Sequence, residues 1–355
     1  MNIIQILTDA VQRHASDIFV IAGLPVSYKI NGSIVRTEQD ILMPAQTEQL
    51  MRAIYALAGD RNIDRVMVDG DDDFSFSLKG ISRFRVNAYR QRSSLAAVIR
   101  VITFDLPDPR KIGIPDTVLQ LADQTKGLVL VTGPAGSGKS TTLACMIDRI
   151  NRTRSSHVIT LEDPLEYLHR HNKSIVSQRE ISTDTESYVK ALRSALRQAP
   201  DVILLGEMRD YETINVAMTA AETGHLIFST LHTIGAANTI DRIIDAFPPN
   251  QQHQIRIQLS MVLQAVISQQ IVPATNGKEV PAFEIMLVNS AIRNMIRESK
   301  VHQIDTVIYS SANEGMRTMD SSLLELFQKG IIEQSDALTY STNPDQMLKR
   351  MKSIT

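Results

Sequence analysis

Cysteine occurs once in 355 residues, at Cys145, and tryptophan is absent. A single thiol excludes a disulfide framework and a cysteine-built zinc module. It is the usage expected of a reducing, cytoplasmic compartment, and Cys145 itself reads as a small buried hydrophobe. No stretch approaches the ~18 consecutive apolar residues of a membrane span. The start of the chain is no secretory signal either, because it lacks a basic opening and Asp9, Gln12 and Arg13 break its apolar run. Neither sign of charge dominates: Lys+Arg 37 against Asp+Glu 39 leaves a net charge of −2. That balance excludes a broadly basic nucleic-acid coat and an acidic disordered tail. Aromatics are only 5%, so stacking platforms for single strands are also scarce.

What is present divides into two rhythms. Residues 1–105 predict a small α+β domain. A helix over Met1–His14 is followed by strand-like runs at Ile18–Ile21, Val26–Ile30 and Ile34–Thr37, with Asn31-Gly32 as a hairpin signal. A helix near Thr47–Ala58 comes next, then a solvated turn at Asp69–Asp73. Alternating strands follow at Phe74–Leu78, Phe84–Tyr89 and Leu95–Ile102. Two prolines in Leu106-Pro107-Asp108-Pro109-Arg110 make a stiff connector, so 106–117 is taken as a linker. Beyond it, helices alternate with short, wholly apolar strands at Leu128–Val131, Val158–Leu161, Val202–Leu205 and Leu226–Ser229. Such runs suit a parallel sheet buried on both faces, an α/β core over 118–270. After Pro273 the pattern turns mostly helical, ending in Ser321–Lys329 and Asp345–Met351, which gives a helical region over 271–355.

Gly133-Pro134-Ala135-Gly136-Ser137-Gly138-Lys139-Ser140 fits the phosphate-loop pattern in full, between the strand Leu128–Val131 and a helix from Thr141. The glycines let backbone N–H groups turn inward onto phosphate oxygens, and the helix N-terminus adds a favourable dipole. Lys139 supplies a point charge to the β/γ-phosphates, and the Ser140 hydroxyl is placed for Mg²⁺. The expected ligands are ATP and Mg²⁺.

Two carboxylate groups end later strands: Glu162-Asp163-Pro164-Leu165-Glu166 after Val158–Leu161, and Gly206-Glu207 after Val202–Leu205. Strand ends beside a phosphate loop are where ligands bind in such sheets. The second is the Walker B position, with Gly where an Asp commonly stands, so the Mg²⁺-linked carboxylate is Glu207. By the topology of RecA-like motors, Glu162 is assigned as the general base. The reverse assignment satisfies the same two roles, and the plain alternative for each is a loop-end acid paired with an arginine. His225 and His232 bracket the fourth core strand, either as structural strand-end residues or as imidazoles that hydrogen-bond phosphate or a carboxylate; with no Cys or further His nearby they are not read as metal ligands. His169 and His171 read as solvated. Arg83 and Arg85 share one face of a strand with Asn87, either as an ordinary polar face or as guanidinium groups reaching a nucleotide on a neighbouring subunit. Arg100, Arg197 and Arg209 are weaker candidates.

The phosphate loop, Ile159–Glu166, Gly206-Glu207-Met208-Arg209-Asp210, and Gly224-His225 through Leu231-His232-Thr233 occur in order. They resemble the Walker A, Asp box, Walker B and His box of secretion-type ATPases, and Arg83–Asn87 resembles that family's N-terminal arginine strand. Ala291-Ile292-Arg293-Asn294-Met295-Ile296-Arg297-Glu298 is similar to the C-terminal signature of the type IV pilus retraction ATPases, the PilT family. On its own it also reads as an amphipathic helix with Ile292, Met295 and Ile296 inward. The resemblance implies a PAS-like N-domain, a RecA-like ATPase core and a cytoplasmic homohexamer at the inner face of the membrane. The ring would act on an inner-membrane platform protein, drive pilin disassembly and so power twitching, with a paralogous retraction ATPase as a further partner and no direct nucleic-acid contact. Arg90-Gln91-Arg92-Ser93 departs from the family's more amide- and glycine-rich pattern, which leaves the trans role resting on Arg83 and Arg85. Three rivals share the core. A pilus-assembly or type II secretion ATPase would carry an extra N-terminal domain and often a four-cysteine zinc subdomain. A nucleic-acid motor would need a basic stripe. A non-enzymatic regulator would not need Lys139, Glu162 and Glu207 together.

Overall fold

The computed structural model describes residues 2–353 except 31, 39 and 103. The chain forms two compact units, Met1–Asp105 with Glu166–Leu168, and Leu106–Leu165 with His169–Thr355.

The first unit runs α1 (Ile3–Gln12), β1 (Asp17–Val20), β2 (Ser27–Ile30), β3 (Ser33–Arg36), α2 (Pro44–Leu57), α3 (Asp64–Asp69), β4 (Asp71–Leu78), β5 (Ser82–Gln91) and β6 (Ser94–Ile102). Among the described residues its strands make one antiparallel sheet, ordered β3-β2-β1-β6-β5-β4. Alternation along β5 buries Phe84, Val86 and Ala88 and leaves Arg83, Arg85 and Asn87 on the other face, as period two requires. The core gathers Ile6, Leu7, Ile54, Tyr55, Phe84 and Ile99. β2 and β3 pair as the expected hairpin, Ile30 opposite Ser33; Asn31 of its turn lies outside the described residues.

Asp69–Asp73 is not a solvated turn. Asp69 ends α3, Gly70 takes φ +90°, and Asp71–Asp73 open β4. Asp72 is buried and accepts two hydrogen bonds from Arg61 and one from Tyr55. A charge run looks solvated when its partners lie at a distance in sequence, as Arg61 does here.

The second unit runs α4 (Asp116–Gln120), β7 (Gly127–Thr132), α5 (Lys139–Thr153), β8 (His157–Glu162), β9 (Ile175–Glu180), α6 (Tyr188–Ala195), β10 (Val202–Leu205), α7 (Tyr211–Glu222), β11 (Leu226–Leu231), α8 (Ala236–Asp245), α9 (Pro249–Val262), β12 (Leu263–Pro273), β13 (Glu279–Leu287), α10 (Ser290–Arg297), α11 (Ile304–Ser310), α12 (Met319–Gln328), α13 (Gln334–Tyr340) and α14 (Pro344–Lys352). The sheet is ordered β13-β12-β7-β11-β10-β8-β9, parallel except for β13. The four apolar runs are its centre: every residue of β7, β10 and β11 is buried. Helices cover both faces, with Ile203, Leu205 and Ile227 in one core layer and Val129, Val131 and Phe228 in the other.

The chain does not turn helical directly after Pro273. β13 pairs with β12 along its length and extends the core sheet before α10 begins. Ser268, Gln269 and Gln270 make β12 look polar, yet all three are buried. In α10, Ile292 and Ile296 are buried and Met295 is partly so, the amphipathic arrangement expected. Cys145 is buried on α5, where burial first, and then Asp148 and Asp108, push its thiol up to about 11; it packs as a hydrophobe. Burial lowers the His169 pKa, so His169 is not the solvated residue expected, while His171 caps the backbone N–H of Val176.

Candidate active site

The phosphate loop leaves β7 at Gly133 and enters α5 at Lys139. Two glycines have specific steric reasons. Gly133 sits at φ +139°, and a Cβ there would stand 2.1 Å from the Gln269 carbonyl oxygen. Gly138, the N-cap at φ +83°, would place one 2.8 Å from Gln269 Nε2. Lys139 donates to the carbonyls of Gly133 (2.9 Å) and Pro134 (2.8 Å), so its ammonium is folded back over the loop. Ser137 Oγ and Thr132 Oγ1 are buried without a hydrogen-bond partner. Orphaned hydroxyls, one at the end of β7 and one in the loop, are what a bound anion would satisfy. Ser140 and Thr141 open α5 beside it.

Register lines up the rest of the edge. Leu231 pairs with Thr132, Leu205 with Ser229, and Leu205 with Leu161. The phosphate loop, His232, Glu207 and Glu162 therefore follow the C-terminal ends of four adjacent parallel strands, in that order. The strand ends are tied together: Thr230 Oγ1 donates to the Gly206 carbonyl (2.6 Å), Ser229 Oγ to that of Leu205 (2.8 Å), and Met208 N–H to that of Thr230 (3.1 Å). Glu207 pairs with Arg209 Nε at 2.7 Å and faces His232 Nε2 at 3.5 Å. That hydrogen bond raises the pKa of Arg209, one of the weaker candidates, whose side chain is otherwise exposed. A cleft of about 370 Å³ opens here, lined by Glu207, Arg209, His232, Thr233 and Arg242 among others.

The structure does not bring His225 to this edge. It precedes β11, seven residues before His232, which is about 23 Å along an extended strand. Its Nδ1 lies 3.0 Å from the Ala220 carbonyl at the end of α7. In a parallel sheet the residue before a strand and the residue after it lie on opposite rims, so His225 and His232 cannot both reach the nucleotide edge. Arg83 and Arg85 belong to the first unit; Arg83 Nη1 lies 3.4 Å from Ser77 Oγ, and Arg85 sits opposite Ser75 and Arg100. Arg100 pairs with Asp17, and Arg197 follows α6 on the surface.

Three residues of the site escaped the sequence reading. Gln269 braces the loop from β12, and its Oε1 accepts from Thr142 Oγ1 (2.8 Å). Arg242 lines the cleft from α8. Tyr188, at the start of α6, explains Gly206: a Cβ on Gly206 would lie 2.8 Å from the Tyr188 hydroxyl. The glycine in place of an acid was a visible signal, but its cause lies on another element.

Residues 1–316 match the family described as "Type II/IV secretion system protein". The type IV pilus retraction ATPase PilT of Pseudomonas aeruginosa is 44% identical over 97% of this chain and 99% of its own. The chain belongs to the PilT family of secretion-type ATPases. A twitching motility protein of Neisseria gonorrhoeae is 42% identical over 96% of this chain and 90% of its own. A crystal structure of the pilus retraction motor PilT with bound ADP superposes with a TM-score of 0.89 at 46% identity, covering 99% of this chain and 100% of that one. The PilT-family fold, a RecA-like core with a smaller PAS-like domain before it, is thus the fold of this chain. Among its described residues no helix is long and apolar enough to cross a membrane.

Proposed function

We propose that this chain is a Mg²⁺-dependent ATPase that works as a homohexamer to power type IV pilus retraction and twitching, by driving pilin disassembly at an inner-membrane platform protein. The observation that carries it is the shared rim: a sterically enforced phosphate loop, His232, Glu207 and Glu162 end adjacent strands of one sheet. Gly133–Thr141 enclose the triphosphate, with loop backbone N–H groups (Pro134 has none) donating to it, and Lys139 exchanges its loop carbonyls for phosphate oxygens.

Ser140 and Glu207 offer hydroxyl and carboxylate oxygen, donors that suit Mg²⁺. Among the described residues no three His, Cys, Asp or Glu cluster as a metal cage, and an ion shared with nucleotide phosphates needs none. Bound there, Mg²⁺ would neutralise charge on the phosphates. Glu162 orients and deprotonates the attacking water, and His232, beside Glu207, responds to the occupant of the site. Arg83 and Arg85 act on a neighbouring subunit's nucleotide. His225 holds the end of α7 instead. The protein is cytoplasmic, at the membrane's inner face through its partners, a paralogous retraction ATPase among them, and makes no direct nucleic-acid contact. The near-complete coverage of pilus retraction relatives favours retraction over assembly or type II secretion.

Purified protein tests the chemistry. Lys139→Ala should abolish nucleotide binding, whereas Glu162→Gln and Glu207→Gln should keep most binding and lose turnover. Equal turnover in wild type and all three variants would refute the site. Deleting the gene tests the biology: excess surface pili without twitching supports retraction, bald cells support assembly.

A further inference from the structure

Tyr188 opens α6 immediately after the N-cap Ser187, whose side chain accepts from Lys190 N–H. Its ring packs against the core layer containing Leu161 and Leu205. Its hydroxyl reaches past that layer to the ends of β8 and β10. The point where a Gly206 Cβ would stand is 2.8 Å from this hydroxyl, 3.2 Å from the Leu161 carbonyl oxygen and 3.4 Å from Glu162 Cα. Gly206 has no left-handed backbone angle, so space for the phenol is the reason for the glycine. Among the described residues the Tyr188 hydroxyl makes no hydrogen bond, and it is only partly buried, so its O–H is available as a donor. The phenol stands in a field of three carboxylates. Burial first, then Glu207, Asp163 and Glu162, raise its pKa, which keeps it protonated as a donor in every physiological condition.

We propose that Tyr188 is a positioning residue for hydrolysis: its hydroxyl, lodged against Gly206 beside the root of Glu162, donates to the Glu162 carboxylate in the loaded site and fixes how that carboxylate meets the attacking water. A donor fixed by a packed ring narrows the torsions open to a strand-end carboxylate and so sets which of its oxygens meets the water. The glycine at position 206 and the tyrosine at 188 form one device, since an acid or even an alanine at 206 would displace the hydroxyl. This inference rests on the proposed ATPase reading and on Glu162 as the water-orienting group.

The test is steady-state ATP hydrolysis by the full chain with Mg²⁺, alongside nucleotide affinity and thermal midpoint, for wild type, Glu162→Gln, Tyr188→Phe, Gly206→Ala and the Tyr188→Phe/Gly206→Ala double variant. Phenylalanine keeps the ring, so Tyr188→Phe should lower kcat about tenfold while KM and the melting midpoint stay at wild-type values. Gly206→Ala should cost a similar factor alone and little more on top of Tyr188→Phe, because the two changes remove the same contact. Wild-type kcat in Tyr188→Phe, or a loss that appears in KM or stability rather than kcat, overturns the proposal. If wild type hydrolyses ATP and Glu162→Gln does not, that result falls on Tyr188 alone. If wild type shows no turnover, the ATPase reading fails and the positioning role goes with it.

Discussion

Gln269 and Gly133 are in such close approach that the carbonyl of one occupies the space a side chain on the other would need, 2.1 Å from the would-be Cβ. The same glutamine accepts from Thr142 through Oε1 and presents Nε2 to Gly138. One residue of β12 therefore shapes both ends of the phosphate loop and the first turn of α5.

Gly133→Ala should remove nucleotide binding, because the methyl group meets backbone, which cannot swing aside as a side chain can, at a φ that L-residues rarely adopt. Titration with a fluorescent ATP analogue checks this; wild-type affinity would show that the loop relaxes around the alanine. Gln269→Leu should lower stability by about 1–3 kcal/mol, since it strands the buried Thr142 hydroxyl. It should also weaken nucleotide binding with the loop sequence intact.

Asp72 predicts acid sensitivity in the N-terminal unit. Burial pushes its pKa up, but hydrogen bonds from Arg61 and Tyr55 and the charge of Arg61 outweigh that, and the net shift is downward. A depressed folded pKa contributes stability that is present above the unfolded value near ~3.9 and is lost as pH falls through the folded value. Asp72→Asn should destabilise this unit by about 3 kcal/mol at neutral pH, leaving the Arg61 guanidinium without its charge partner. Denaturant melts of wild type and variant should converge in strong acid; parallel curves at all pH values would contradict it.

Glu284 predicts the opposite slope. This buried carboxyl on β13 accepts from the N–H groups of Ala236 and Met319, at the starts of α8 and α12. Its pKa is raised, by burial first and further by Asp305 and Asp320, against the lowering effect of those two donors. Because the native chain holds this proton to higher pH than the unfolded chain, the group favours folding below its unfolded pKa and loses that contribution as pH rises through the folded value. Glu284→Gln keeps an acceptor without the charge, so at neutral pH it should match or exceed wild type in thermal midpoint, while Glu284→Ala should fall below it. A Gln variant as unstable as the Ala variant would show that the charge itself is required.

The β5–β6 hairpin closes through Arg92 and Ser93, at φ +47° and +63°. Both central residues with positive φ suit Asn-Gly. Ser93→Gly should raise the stability of the N-terminal unit by about 1 kcal/mol. A fall in its melting midpoint would count against strain at this turn.

Local sequence was enough to mark α1, α2 and the amphipathic α10, because each carries its own apolar stripe, and the four core strands, because each is a short, largely apolar run. The phosphate loop was legible for a similar reason: its glycines, lysine and serine act through backbone they supply themselves. Asp72, Gln269 and Glu284 were opaque. A buried polar residue is defined by its partner, and Arg61, Thr142 and Ala236 lie at sequence separations that no periodicity encodes. What sequence alone determined was the chemistry available: a phosphate-loop motif, two strand-end carboxylates and two histidines. Tertiary structure decided which of these share a rim, placing His232 beside Glu207 and His225 at the far end of β11, because strand direction and sheet order, not spacing along the chain, set which side chains meet.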